Sequence, residues 1–280
     1  MLAWGGAAAP AGAAAPHWTI TPASGGADRP YVYAEGTPGS VLEDKVAVTN
    51  PTDRPLKVTL RGVDADHEDD GSPALRERAK DTGAWIRFAD TSVRIPARTR
   101  AEVPFTVSVP AGAVPGDHPG AVVARAAGRD AAVSVHLRVS GPTLSALTVE
   151  RVRVVGGDAI RYDVVNRGNT TLRPRLTVRA DGLLGAVLDR GPRSLSLDLL
   201  PGRRVTLTEP WRDAPALDDV DVKVTVTAGG GAGDSATARA RFVPWGALGG
   251  GLAVLAAGGC VAYAYRRRRR QTPDTQGSTS

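Results

Sequence analysis

The chain has 280 residues with 35 Lys and Arg against 29 Asp and Glu, a formal charge of +6. Five of those basic residues and one acidic residue lie in 266–280, so the rest carries only +2, and the main electrostatic motive for binding nucleic acid is gone. The single cysteine, Cys260, excludes a disulfide-stapled scaffold, and the length allows two domains with a core each.

Residues 1–16 are small, apolar and uncharged from Leu2 to Pro16, like the late part of a secretory signal, and the first basic residue is Arg29. They are expected to be a signal peptide whose start lies upstream of Met1; an Ala/Pro linker is the alternative.

A first domain is expected over 17–141, and between residues 30 and 140 the dominant pattern is alternation with period two. Leu56, Val58 and Leu60 face one way, and the pattern recurs at Val103, Phe105, Val107 and Val109 and at Val133, Val135, Leu137 and Val139. Such runs predict half-buried antiparallel strands. Turn residues stand between them at 37–39, 50–53 and 115–117. Ser72-Pro73 predicts the cap of a short helix running to Lys80. Seven or eight short strands suggest an immunoglobulin-like sandwich.

Ser140-Gly141-Pro142 marks a boundary, and a second sandwich is expected over 142–241. Its strand candidates are 147–155, 160–166, 175–178, 205–207, 220–226 and 237–242. Gly229 to Gly233 reads as a hairpin tip, because its spacing misses the phosphate-binding pattern.

The last element is an uncharged stretch from Phe242 to Tyr265, 24 residues long. At about 1.5 Å per residue it crosses a bilayer core of about 30 Å. Trp245, Tyr263 and Tyr265 sit where amphipathic rings favour the headgroups, and Arg266, Arg267, Arg268, Arg269 and Arg270 place residues 266–280 in the cytoplasm. The expectation is a single-pass membrane protein, N-terminus outside, held in the lipid bilayer by residues 242–265. Gly249, Ala253 and Ala257 lie four apart, a spacing that allows weak homodimers, although a span half Gly and Ala gives it by chance as well.

Catalytic patterns are missing. His67-Glu68 lacks the second histidine of a zinc protease motif, no nucleophile elbow is present, and His136 reads as a solvated strand residue. The acidic run from Asp64 to Asp70 suggests calcium, but Asp69 and Leu75 occupy the positions where the calcium loop needs Gly and Glu. Neither enzyme activity, cofactor nor metal is expected. Asn169-Thr170-Thr171 fits a glycosylation sequon. Two exterior features stand out. Trp85 precedes a strand and reads as a core anchor or an aromatic contact, and Asp117-His118 sits between two turns, as a strand entry or a binding loop.

In order, Tyr31–Tyr33, the run 38–60, Asp64-Ala65, GAWIRF at 83–88 and the run 93–124 resemble the peptidoglycan-binding domain of the WxL-interacting protein family. The resemblance implies a surface protein of Gram-positive bacteria, an N-terminal sandwich that binds the cell wall, a second sandwich that engages partners and a C-terminal anchor. Expected, then, is an all-β chain of two tandem immunoglobulin-like sandwiches followed by one transmembrane helix. It would bind peptidoglycan or another wall polymer through Trp85, Asp117 and His118. The alternative is a surface adaptor or stalk that binds another secreted protein through a sandwich edge.

Overall fold

The computed structural model describes residues 17–23, 29–243, 258–264 and 266. The alternating runs form strands because every second side chain can be buried between two sheets while its neighbours meet water. In the first half these are β1 (Thr19–Pro22), β2 (Val32–Gly36), β3 (Val41–Asn50), β4 (Leu56–His67), β5 (Pro73–Arg76), β6 (Ile86–Phe88), β7 (Ser92–Ile95), β8 (Thr99–Ser108), β9 (Gly116–Ala126) and β10 (Arg129–Val139). One sheet runs β1-β3-β8-β6 and the other β2-β10-β9-β4-β5, with β7 also paired to β4. Val58, Leu60, Phe105, Val107, Val135 and Leu137 interlock between them.

The second half holds β11 (Leu147–Val155), β12 (Ala159–Asn166), β13 (Arg175–Gly182), β14 (Gly185–Ser194), β15 (Arg204–Pro210), β16 (Asp218–Thr227) and β17 (Gly233–Phe242). Its sheets run β11-β12-β15 and β14-β13-β16-β17, around Tyr162, Leu176, Val178, Val224 and Trp211. The fold is all-β and immunoglobulin-like. Residues 229–231 lie at the tip between β16 and β17, as the glycines suggested.

Three expectations are corrected. The helix over 72–80 is absent: Asp70 accepts the Ser72 N–H at 2.9 Å to turn the chain, and β5 then pairs with β4, His67 opposite Pro73. Proline is tolerated there because it begins an edge strand and owes no ladder hydrogen bond. Strand β14 escaped the sequence reading because it is an edge strand with two register shifts and no clean alternation.

The third correction concerns the membrane. Phe242 does not open a span but closes β17, opposite Asp218, with its ring edge-on to Trp211 at 5.5 Å. Residues 258–264, including Tyr263, are helical and exposed. Residues 1–16, Trp245, Gly249, Ala253, Ala257, Tyr265 and Arg267 to Arg270 lie outside the described residues. Among the described residues no helix is long and apolar enough to cross a membrane, so the expected single-pass anchoring in the bilayer is withdrawn.

Candidate binding groove and open strand edge

A single helical turn, α1 (Thr82–Trp85), carries the expected aromatic residue. It crosses β4 with backbone against backbone. A Cβ on Gly62 would stand 2.4 Å from the Gly83 carbonyl oxygen, and one on Gly83 would stand 2.3 Å from the Val63 carbonyl carbon. Only glycines permit this approach. The buried Asp64 carboxylate fixes the crossing by accepting the N–H groups of Lys80 at 2.6 Å, Asp81 at 3.1 Å and Gly83 at 2.8 Å. Thr82 donates its hydroxyl to the His118 carbonyl at 2.8 Å.

These contacts bring two of the three expected residues together. Trp85 packs half-buried against the core, its ring 5.1 Å from that of His118 and tilted by 44°. His118 Nδ1 lies 2.9 Å from both Asp81 oxygens, and Nε2 lies 2.7 Å from the Val114 carbonyl oxygen. Burial alone would lower the His118 pKa, but the hydrogen bonds to Asp81 and Val114 and the charges of Asp81 and Asp117 outweigh it and raise the value. With an acceptor at each ring nitrogen, the geometry suits imidazolium.

Asp117 points the other way, as successive strand residues do. It accepts Arg138 Nε at 2.9 Å and the Thr171 N–H at 2.8 Å, and its own N–H donates to the Asn169 carbonyl at 2.7 Å. It therefore joins the two halves. Asn169 completes the joint by donating to the carbonyls of Pro115 at 2.8 Å and Pro142 at 3.0 Å while accepting the Leu144 N–H at 2.6 Å. The sequon asparagine is thus fully occupied.

The acidic run is spent in the same way. Asp66 pairs with Arg76, and Arg203 Nε lies 2.7 Å from its other oxygen but off the hydrogen-bonding direction, so that contact is an ion pair only. Thr206 N–H donates to the Asp69 carbonyl at 2.8 Å, docking the run on β15. Among the described residues no group of three or more His, Cys, Asp or Glu could hold a metal ion.

Between the outer face of the β2-β10-β9-β4-β5 sheet and segments 170–174 and 194–200 lies a groove of about 1080 Å³. On its rim Tyr31 stacks on His136, ring centroids 4.3 Å apart and planes 12° apart, and Tyr33 donates its hydroxyl to Glu35 at 2.8 Å. His136 is therefore half-covered rather than solvated, and burial lowers its pKa. Burial does the same to His67, whose Nδ1 has no hydrogen-bond partner. The groove's arginines are already matched, Arg138 to Asp117 and Arg173 to Asp198 at 2.9 Å each.

Beside the groove runs an open edge. Strand β2 pairs in parallel with β10 only from Val135 to Val139. On that side residues 129–134 of β10 have no partner strand among the described residues. The sequence reading missed this edge, because nothing in the β10 residues says which neighbour stops short.

No family model and no curated protein matches the chain. Similar solved structures include the class 5 fimbriae chaperone CfaA, at 8% identity and a TM-score of 0.45, covering 81% of this chain and 100% of that one. Others are the CupB2 chaperone of Pseudomonas aeruginosa, at 10% identity and 0.36, covering 75% and 97%, and the SafB chaperone complex with SafA pilin of Salmonella enterica, at 13% and 0.37, covering 82% and 99%. At these scores the likeness concerns strand layout and carries nothing about activity. The expected peptidoglycan-binding module is withdrawn on the site itself: Asp117, one of its three expected contact residues, is occupied at the joint by Arg138 and Thr171, and no family model supports a wall-binding domain.

Proposed function

We propose that the chain is a non-catalytic adaptor that binds another secreted protein through the open edge of β10. The observation that carries this reading is the stretch 129–134, unpaired among the described residues, next to a groove rimmed by Tyr31 and Tyr33. An extended segment added there completes the sheet with main-chain hydrogen bonds, and alternate side chains reach the groove face. Each such bond is worth about 1 kcal/mol net, so the edge alone gives weak binding and neighbouring surface has to supply the rest.

The test is a photo-crosslinking amino acid at Ser134 of the full chain, activated in the producing cells, with Arg179 on β13 as the control position. Recovery of one protein from Ser134 and not from Arg179 supports the adaptor. Equal recovery from both, or none from Ser134, defeats it.

A further inference from the structure

The outer face of the first half's larger sheet is unevenly charged. At the end away from the second half, Lys57 on β4 stands directly opposite Arg94 on β7, and neither has an acidic partner among the described residues. Facing cations on an antiparallel pair, with Cβ atoms about 5 Å apart, are unfavourable. Arg61 follows on the same face of β4, and Arg125 on β9 lies opposite Thr59. Among the described residues one carboxylate forms ion pairs with this group: Asp130, at 2.6 Å from Arg125 and 3.9 Å from Arg61. Glu77 adds a weaker negative influence on Arg125.

The position of this cluster matters as much as its charge. Asp130 belongs to the open stretch of β10, and β9, β4 and β7 follow in order across the sheet. At about 4.8 Å between strands, the cations begin one strand from the open edge and end within about 15 Å of it.

From this we infer that the basic end of this face receives an acidic stretch, rich in Asp and Glu, of the protein bound at the β10 edge. The inference rests on the adaptor reading and adds the partner's chemistry to it. An acidic peptide fits better than nucleic acid because the charge is local, adjoins a strand edge that recognises backbone amides, and sits on a chain whose first 265 residues carry only +2. The facing cations weaken the free sheet slightly and strengthen it once an anion lies between them.

A second unmatched pair gives an internal control. Arg153 on β11 lies opposite Arg161 on β12, on the second half, where the nearby Arg151 and Arg204 are already matched by Asp163 and Glu150.

The experiment titrates the full chain with a fluorescent deca-glutamate peptide. Binding is expected to weaken as salt rises, and Lys57→Glu is expected to lower affinity at least tenfold while Tm stays level or rises by about 1 °C, since opposite charges then face each other. Lost binding without lost stability separates recognition from misfolding. Arg153→Glu should leave affinity within twofold. Equal losses in the two variants, no loss in Lys57→Glu, or tighter binding of an oligothymidylate of equal charge would overturn the proposal.

Crosslinking at Ser134 in the Lys57→Glu background separates this failure from that of the adaptor reading. An undiminished yield removes the acidic stretch and leaves the edge in place; no crosslink even with Lys57 intact removes the edge, and the peptide titration still judges the face.

Discussion

The two halves solve one problem identically and another in opposite ways. Each ends a core strand on a fully buried asparagine that closes the next turn. Asn50 donates to the carbonyls of Arg54 at 2.8 Å and Pro96 at 2.9 Å and accepts the Thr52 N–H at 3.2 Å. Asn166 donates to the carbonyls of Thr170 at 2.7 Å and Leu199 at 2.9 Å and accepts the Gly168 N–H at 2.9 Å. In both, a side-chain amide ties a turn to a distant segment, because an irregular buried backbone has no ladder to satisfy it.

Buried carboxylates divide the halves. In the first, Asp64 is satisfied by backbone amides and fixes the path of one loop, and Asp66 is the buried carboxylate held by arginines, Arg76 on β5 and Arg203 of the second half. In the second, Asp163, 2% exposed, is held by Arg151, Arg204 and Thr206, and Glu209 is held by Arg190 and Arg193. Burial pushes Asp163 up, but those hydrogen bonds and charges overcome it and keep its pKa below the ordinary value. The second half is cross-braced by two buried carboxylates with two arginines each, while the first spends Asp64 on positioning a loop and leaves an edge open among the described residues.

Substitutions can break that contrast. The largest effect is expected for Asp163→Ala, which removes the brace between β11, β12 and β15 and costs about 3 kcal/mol. Hydrogen exchange should show the loss concentrated in residues 147–210. Asp64→Ala leaves three amide groups unpaired and costs about 2 kcal/mol, with exchange rising first in residues 80–85. Asn50→Ala and Asn166→Ala should cost about the same as each other, near 2 kcal/mol by denaturant titration. A difference of more than about 1 kcal/mol would show that the shared geometry hides unequal roles.

The smallest effect expected is a pH dependence. His118 has a raised pKa, so its contribution is fully present below 6.5 and is lost as pH rises through its higher folded value. His67 and His136, lowered from 6.5, act with the opposite sign and lose their contribution as pH falls. His118→Gln should therefore lower Tm more at pH 5.5 than at pH 8.5, and an equal change at both would show that His118 is uncharged in the folded chain.

Much of the fold was legible because burial on one face writes itself as alternation. Strand β11 was read with its exact ends, and β12, β16 and β17 were read within a few residues. Weakly alternating β14 was missed, and Ser72-Pro73 misled because a helix cap and a turn into an edge strand use the same residues. For the site, Trp85 and His118 were read as separate features, and only the Gly62–Gly83 crossing brings their rings together. Asp117 was read as a strand entry or a binding loop; it stands at the entry of β9, and its role at the joint was hidden because the segment it holds, Asn169 to Thr171, lies more than fifty positions away.

The sequence by itself determined that this is an all-β chain with two strand-rich halves, because period-two burial and turn residues are local properties. It also located the asparagine turn at 50–53, though not what Asn50 does. Tertiary structure alone decided that Phe242 closes a sheet rather than entering a membrane span, that Asp64, Asp66 and Asp69 of the acidic run are spent on a loop crossing and on the joint, and that β10 is left half-paired among the described residues. Each of these depends on which groups from distant segments meet, and hydrogen-bond and charge partners are fixed only once the sheets have packed.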